Sequence, residues 1–264
     1  MDYQGAYYDG NGSGAASAYQ DYSWDTDHWR NFFRGVADRI VAMRAPKTYL
    51  DLGCARGILV QALLEKGVAA EGVDISDHAI ASAHPDVREQ LRVGSATEPL
   101  SGKYDMISCI ETLEHMDPEA AQQAIDVMTA ATDTILFSST PRDFDEATHI
   151  NVHPTAQWAA WFAERGFYRR ADADATFLAP WALFLERREH TPRSLVHLYE
   201  DQLAPLREEV VEKRNALLVA QRQARNGAGA GLADRSLDDD MILRRHAELV
   251  ARDNVMGLEA KVVQ

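Results

Sequence analysis

The sequence predicts an α/β fold, a parallel sheet covered by helices on both faces, followed by a helical extension at the C-terminal end. Three observations carry that expectation. Short apolar runs alternate with helix-period segments between about residues 45 and 188. A turn rich in small residues joins the first apolar run to the helix after it. Past Arg188 the alternation stops and a long seam of apolar residues at three- and four-residue spacing takes over.

Residues 1–23 are rich in Gly, Ser, Ala, Asp and Tyr, with Tyr3, Tyr7, Tyr8, Tyr19 and Tyr22 in a stretch without periodicity. Two readings stand for it: a disordered leader, and a lid that orders over a ligand, since each Tyr has a large flat surface to bury. From Asp25 the pattern becomes helical, with Trp29, Phe32, Phe33, Val36, Ala37, Ile40 and Val41 on one face, Asp25 or Thr26 as cap and Pro46 as stop. Strands are predicted at 48–53, 69–74, 91–94, 104–111 and 134–139, with two more at 168–171 and 181–186. Helices are predicted at 57–66, after Ser76, at 118–131 behind Pro118, and at 155–165 closed by Gly166. This divides the chain into an N-terminal lid and cap helix (1–44), a ligand-binding domain (45–188) and a helical extension (189–264).

Composition narrows the function. A chain of 264 residues with 46% apolar content has enough to build a core. A formal charge of −14 and a pI near 5.0 argue against a phosphate-backbone partner. Cys54 and Cys109 lie at predicted strand ends and read as reduced thiols. The first residues show neither a basic n-region nor an apolar h-region, and no apolar run reaches membrane-spanning length, so a soluble cytoplasmic protein is expected.

The chemistry concentrates in Asp51-Leu52-Gly53-Cys54-Ala55-Arg56-Gly57, where a strand turns into a helix. Small residues there let backbone N–H groups approach a ligand. About twenty residues further on, Asp74 ends the second strand, where a carboxylate can accept from both hydroxyls of a ribose. A dinucleotide loop wants glycine where Ile58 stands. Asp51 suits a cationic ligand such as the ammonium and sulfonium of S-adenosylmethionine, and would repel a pyrophosphate.

These residues resemble motif I of class I S-adenosylmethionine-dependent methyltransferases, with Gly53 and Gly57 matching and Ala55 replacing the middle glycine. The resemblance continues in order. Glu71-Gly72-Val73-Asp74-Ile75-Ser76 is similar to the second motif, which implies that Asp74 holds the ribose and Ile75 packs on the adenine. Val93-Gly94-Ser95-Ala96 stands in the place of the third, which implies adenine contacts from the Ser95 hydroxyl and the Ala96 backbone. The stretch from Tyr104 through Ile110, Glu111-Thr112-Leu113-Glu114-His115 to Met116 is similar to the fourth. The family implies a Rossmann-like sheet, S-adenosyl-L-methionine as cofactor, and a site drawn from Asp51, Gly53, Cys54, Ala55, Gly57, Asp74, Ile75, Ser95, Ala96 and Ile110.

Methyl transfer from a sulfonium is an in-line displacement, and a hydroxyl acceptor must also lose a proton. His149 is the first candidate base and His115 the second, with Glu111 beside them; His153 is close in sequence. Glu111, Glu114 and His115 with His149 or His153 also resemble the metal-ligand set of small-RNA 3′-end methyltransferases. The tyrosine-rich start, Phe137-Ser138-Ser139-Thr140-Pro141 and Thr148-His149-Ile150-Asn151-Val152 look like methyltransferases of bacterial glycan or glycosylated-metabolite assembly, which implies O-methylation of a sugar, a glycoside or another small-molecule hydroxyl. No metal is expected. The competing readings are a metal-dependent methyltransferase of an RNA end, a nicotinamide enzyme, for which no Tyr-x-x-x-Lys pair is found, and a non-catalytic scaffold.

In the extension, Val196, Tyr199, Leu203, Leu206, Val210, Lys213, Leu217, Ala220 and Ala224 form a coiled-coil-like seam. Pro205 is expected to kink or restart the helix, the segment 226–231 to break it, and Ser236 to open a second helix toward Lys261. A homodimer through these helices is the expected use.

Overall fold

A computed structural model of the chain describes residues 21–227. The tyrosines before Tyr22 and the second helix expected after Ser236 lie outside the described residues. The chain divides into two units, one ending at Gln202 and one starting at Leu203.

The first unit is built on a seven-stranded sheet. Helix α1 (Asp27–Arg44) carries an acid in its first turn and a base in its last, both favourable to its dipole. It ends at Ala45, in the left-handed region just before Pro46. Then follow β1 (Thr48–Leu52), α2 (Ile58–Leu64), β2 (Ala69–Asp74), α3 (Asp77–Ala81) and β3 (Leu91–Val93). β4 (Met106–Ile110) leads into a 3-10 turn at Leu113–His115, then α4 (Pro118–Ala131) and β5 (Thr134–Ser138). Helix α5 (Thr155–Ala163), β6 (Phe167–Arg169) and β7 (Leu183–Arg187) complete the unit.

The strand order is β3-β2-β1-β4-β5-β7-β6. Strands β1 to β5 pair in parallel, whereas β7 runs antiparallel to both β5 and β6. The expected all-parallel sheet is thus corrected at its far edge. No helix long enough for a crossover separates β6 from β7, so the chain returns in the opposite sense and β7 slots beside β5.

Strand periodicity divides the core. Tyr49, Met106, Leu136 and Phe184 point to one face, where they pack with Val36 and Ile40 of α1 and Leu59 and Leu63 of α2. Leu50, Ile107, Ile135 and Leu185 point to the other, where they meet Ile125 and Met128 of α4 and Trp158 and Phe162 of α5. Each such fully buried side chain contributes about 1.5–3 kcal/mol. Ion pairs at Arg34–Glu65 (2.7 Å) and Lys66–Asp38 (2.5 Å) pin α1 to the end of α2.

Helix α6 (Pro192–Gly227) runs through Pro205 without a break, so of the expected kink or restart it is the restart that does not occur. Pro205 forfeits one backbone hydrogen bond, and the turns on either side carry the helix past it. No described helix is long and apolar enough to cross a membrane.

Candidate active site

The carboxyl ends of β1, β2 and β4 open onto a cavity of about 760 Å³. That lies within the range of about 300–1,000 Å³ of ordinary ligand pockets.

Its floor is the turn after β1. Gly53 sits at φ +79°, and a Cβ there would lie 2.2 Å from the Thr112 hydroxyl oxygen, so only glycine fits. The Gly53 and Cys54 amides bond the Val73 carbonyl at 2.8 and 3.1 Å, tying the turn to β2. Ala55 adopts φ +46°, a conformation that glycine takes without strain and alanine does not.

Asp74, at the end of β2, lines the cavity and is fixed from both sides. One carboxylate oxygen accepts from the Ala55 amide and the other from the Ser76 amide, each at 2.8 Å. Burial raises its pKa against the pull of those amides. Ile75 beside it is 64% exposed, an apolar plate at a strand end facing the cavity. Asp51 lies buried beneath the turn, where its carboxylate accepts from the Ser108 hydroxyl at 2.5 Å. Burial pushes its pKa to about 7, with the Ser108 bond opposing and the Asp74 charge adding to the rise.

Of the expected cofactor residues, Gly53, Ala55, Asp74, Ile75, Ser95, Ala96 and Ile110 line the cavity. Asp51, Cys54 and Gly57 are not among its lining residues. The Cys54 side chain is buried, and a Cβ added to Gly72 would meet its sulfur at 2.7 Å. Gly57 caps α2 at φ +69°. The Ser95 hydroxyl is engaged with the Thr97 hydroxyl at 2.7 Å.

Glu111 and His115 lie at the β4 side of the same cavity. Glu111 is held at φ +46°, and its carboxylate accepts from the Trp181 indole at 2.8 Å. Such strain concentrates at functional sites. His115 is largely buried, with Nδ1 3.2 Å from the Thr148 carbonyl oxygen. Burial first, then the neighbouring His149, lowers its pKa to about 4.

His149 does not line the cavity but sits against His115, ring centroids 4.6 Å apart. Its Nδ1 lies 2.8 Å from the Asp143 carbonyl oxygen. Asn151 fastens this segment to the β4 loop: its amide donates to the Glu114 carbonyl at 2.9 Å and its side chain to the Leu113 carbonyl at 3.1 Å.

Ligand atoms of Glu114, His115 and His149 fall within 4.8 Å of one another. Glu114 is fully buried; burial and then the Glu111 carboxylate hold its pKa well above the usual carboxylate range. Glu111 is not part of that trio, and His153 is turned toward the rings of Trp158 and Trp161.

The periodicity places Trp29, Phe32, Phe33, Val36, Ala37, Ile40 and Val41 on one face of α1. The structure divides it: Val36, Ala37 and Ile40 are buried away from the cavity, while Trp29, Phe32 and the buried Phe33 line it with Tyr22, Leu178 and Ala179. The Arg56 guanidinium donates to the Tyr22 carbonyl at 3.0 Å and so anchors this wall to the turn after β1. The five aromatics from Tyr22 to Phe33, with Trp24 and Trp29 between, were the available signal.

Residues 27–171, more than half of the chain, match the family described as a methyltransferase domain. A ubiquinone biosynthesis O-methyltransferase from Methylococcus capsulatus is 30% identical over 107 residues, 37% of this chain and 45% of that protein. One of the same description from Pseudomonas paraeruginosa is 33% identical over 89 residues, 30% of this chain and 38% of that protein. The chain thus spans less than half the length of these curated relatives. Among solved structures, an amino pentose methyltransferase from Micromonospora echinaspora shares the fold with a TM-score of 0.50 at 16% identity, over 61% of this chain and 92% of that one. The ordered motifs, the sheet they sit on and the family match agree: the chain belongs to the methyltransferase-domain family.

Proposed function

We propose that this protein transfers a methyl group from S-adenosyl-L-methionine to a hydroxyl of a small ring-bearing acceptor, a sugar, glycoside or phenol. One observation carries the reading: a single cavity joins the Asp74 carboxylate and the turn after β1 to Glu111, His115 and an aromatic wall. Bound there, the cofactor supplies an electrophilic methyl on its sulfonium.

The cofactor side fits the residues present. Asp74, oriented by two amides, has lone pairs left for the ribose hydroxyls. Ile75 offers its apolar face to the adenine, with Ser95 and Ala96 at the adenine edge and Ile110 on the floor. Gly53 and Ala55 bring backbone close to the methionine end, and Asp51 below them, protonated in the ligand-free fold, ionises as a cation binds and then favours it. Cys54 and Gly57 shape the turn rather than touch the ligand.

On the acceptor side, Tyr22, Trp29 and Phe32 present ring faces against which a flat acceptor packs. The proton of the acceptor hydroxyl is taken up at the His115–His149 pair. When the His149 Nδ1 proton is donated to the Asp143 carbonyl, Nε2 remains as the basic nitrogen. Glu111, fixed by Trp181, places a negative charge where a positive one develops on the imidazole. The curated relatives are O-methyltransferases by name, which supports oxygen as the atom methylated.

The test is transfer of an isotopically labelled methyl group to a panel of phenols and glycosides, read by mass spectrometry. O-methylated product is expected; transfer only to amines, or cofactor binding with no transfer to any acceptor class, overturns the reading. A second reading rests on the convergence of Glu114, His115 and His149, which offers a divalent ion three ligands. Activity that collapses on chelation and returns with added ion would select it.

A further inference from the structure

The first-unit cavity does not use helix α6, whose apolar seam is exposed: Leu206 is 57%, Val210 64% and Leu217 59% accessible. Every described side chain from Leu203 to Ala224 is exposed. A helix with an unburied apolar stripe is marginal in water and calls for a partner. We infer that α6 pairs in parallel and in register with the same helix of a second copy of this chain. The inference is independent of the chemistry at the cavity.

Heptad spacing identifies the contact positions. Leu203, Val210 and Leu217 recur at one core position, and Leu206, Lys213 and Ala220 at the other. Pro205 falls between them on the outer side, so its ring does not obstruct the seam. Val211 and Leu218 widen the apolar stripe beside it.

Charge selects the partner and its direction. In a parallel pair, the residue before one core position faces the residue after the other core position on the partner helix. Glu209 then meets Arg214 of the second copy, twice by symmetry, and Gln202 meets Arg207; the one like-charge meeting is Lys213 with its own counterpart in the seam. An antiparallel pair instead sets the positions of Arg207 and Arg214 against one another and places like charges together.

Lys213 fixes the register. Its ammonium already reaches Glu209 of its own helix at 2.5 Å, so in register each Lys213 brings its own counter-charge to the place where the two copies of it meet. A slip of one heptad would set the charge against Leu206 or Ala220.

The experiment uses the full chain. Light scattering of the unmodified protein at about 50 μM should give twice the 29.4 kDa chain mass. Cys54 and Cys109 are buried, so an introduced thiol is the accessible one among the described residues. Val210→Cys should form an intermolecular disulfide under mild oxidation. Glu208→Cys, on the outer face, should form none. Leu206→Lys with Leu217→Lys should reduce the mass to that of one chain while the thermal unfolding of the rest is retained. A wild-type mass of one chain overturns the proposal, as does a dimer that survives the double substitution. A dimer in which the Val210→Cys thiols fail to cross-link overturns the parallel arrangement.

Discussion

Replacing Asp51 by Asn should change how stability depends on pH. In the folded chain without ligand, burial holds the Asp51 pKa at about 7, against an ordinary value of 3.8. A carboxylate whose folded pKa is raised contributes its full stability below the unfolded pKa and loses it as pH rises through the folded one. Between about pH 4 and 7 the unfolded chain has given up this proton and the folded chain still holds it. Three pH units at about 1.4 kcal/mol each put the loss at about 4 kcal/mol, an order-of-magnitude figure. Asparagine keeps the shape, still accepts from Ser108 and does not titrate. Urea unfolding of both proteins at intervals from pH 4.5 to 8 gives the comparison. Wild type should lose stability relative to Asp51→Asn across that window. Parallel pH profiles would refute the reasoning, because they would mean that Asp51 is ionised in the fold throughout.

Other substitutions probe the rest of the cavity. Asp74→Ala should weaken S-adenosylhomocysteine binding by about 1.5–3 kcal/mol, roughly 10- to 150-fold, by removing charge-assisted bonds to the ribose; titration calorimetry on the folded variant measures it, and unchanged affinity would move the ribose elsewhere. His149→Ala and His115→Ala should each leave that affinity intact and lower turnover by about 10²–10⁴-fold; full activity in one of them assigns the base to the other. Ala55→Gly should be neutral to about 1 kcal/mol stabilising, since relief of the φ +46° strain offsets the added freedom of the unfolded chain; a loss of more than about 1 kcal/mol in chemical denaturation would argue that the turn is unstrained.

The sequence made the first five strands and the turn after β1 readable because both depend on local pattern: apolar runs, and small residues before a helix. The reversal at β7 was hidden, since β6 and β7 carry strand-like residues whatever their direction. Direction depends on the absence of a crossover helix between residues 170 and 182, where the chain makes short turns instead. Helical periodicity also identified the inward face of α1 without separating Ile40, which meets core, from Trp29, which meets the cavity. Both kinds of surface demand apolar side chains at the same spacing. The positive φ of Glu111 left no trace in residue type, because glutamate does not advertise such a conformation as glycine does. Pro205 left a kink and a restart equally open in the sequence; the helix continues because the turns on both sides hold.

Titration calorimetry of the full chain with S-adenosylhomocysteine, and in parallel with NAD⁺, tests most directly what the cavity is for. The expected result is one S-adenosylhomocysteine site per chain, lost or strongly weakened in Asp74→Ala, with no heat from NAD⁺. Binding of NAD⁺ without S-adenosylhomocysteine, or S-adenosylhomocysteine binding that is indifferent to Asp74, would contradict the assignment of this cavity to a methyl donor.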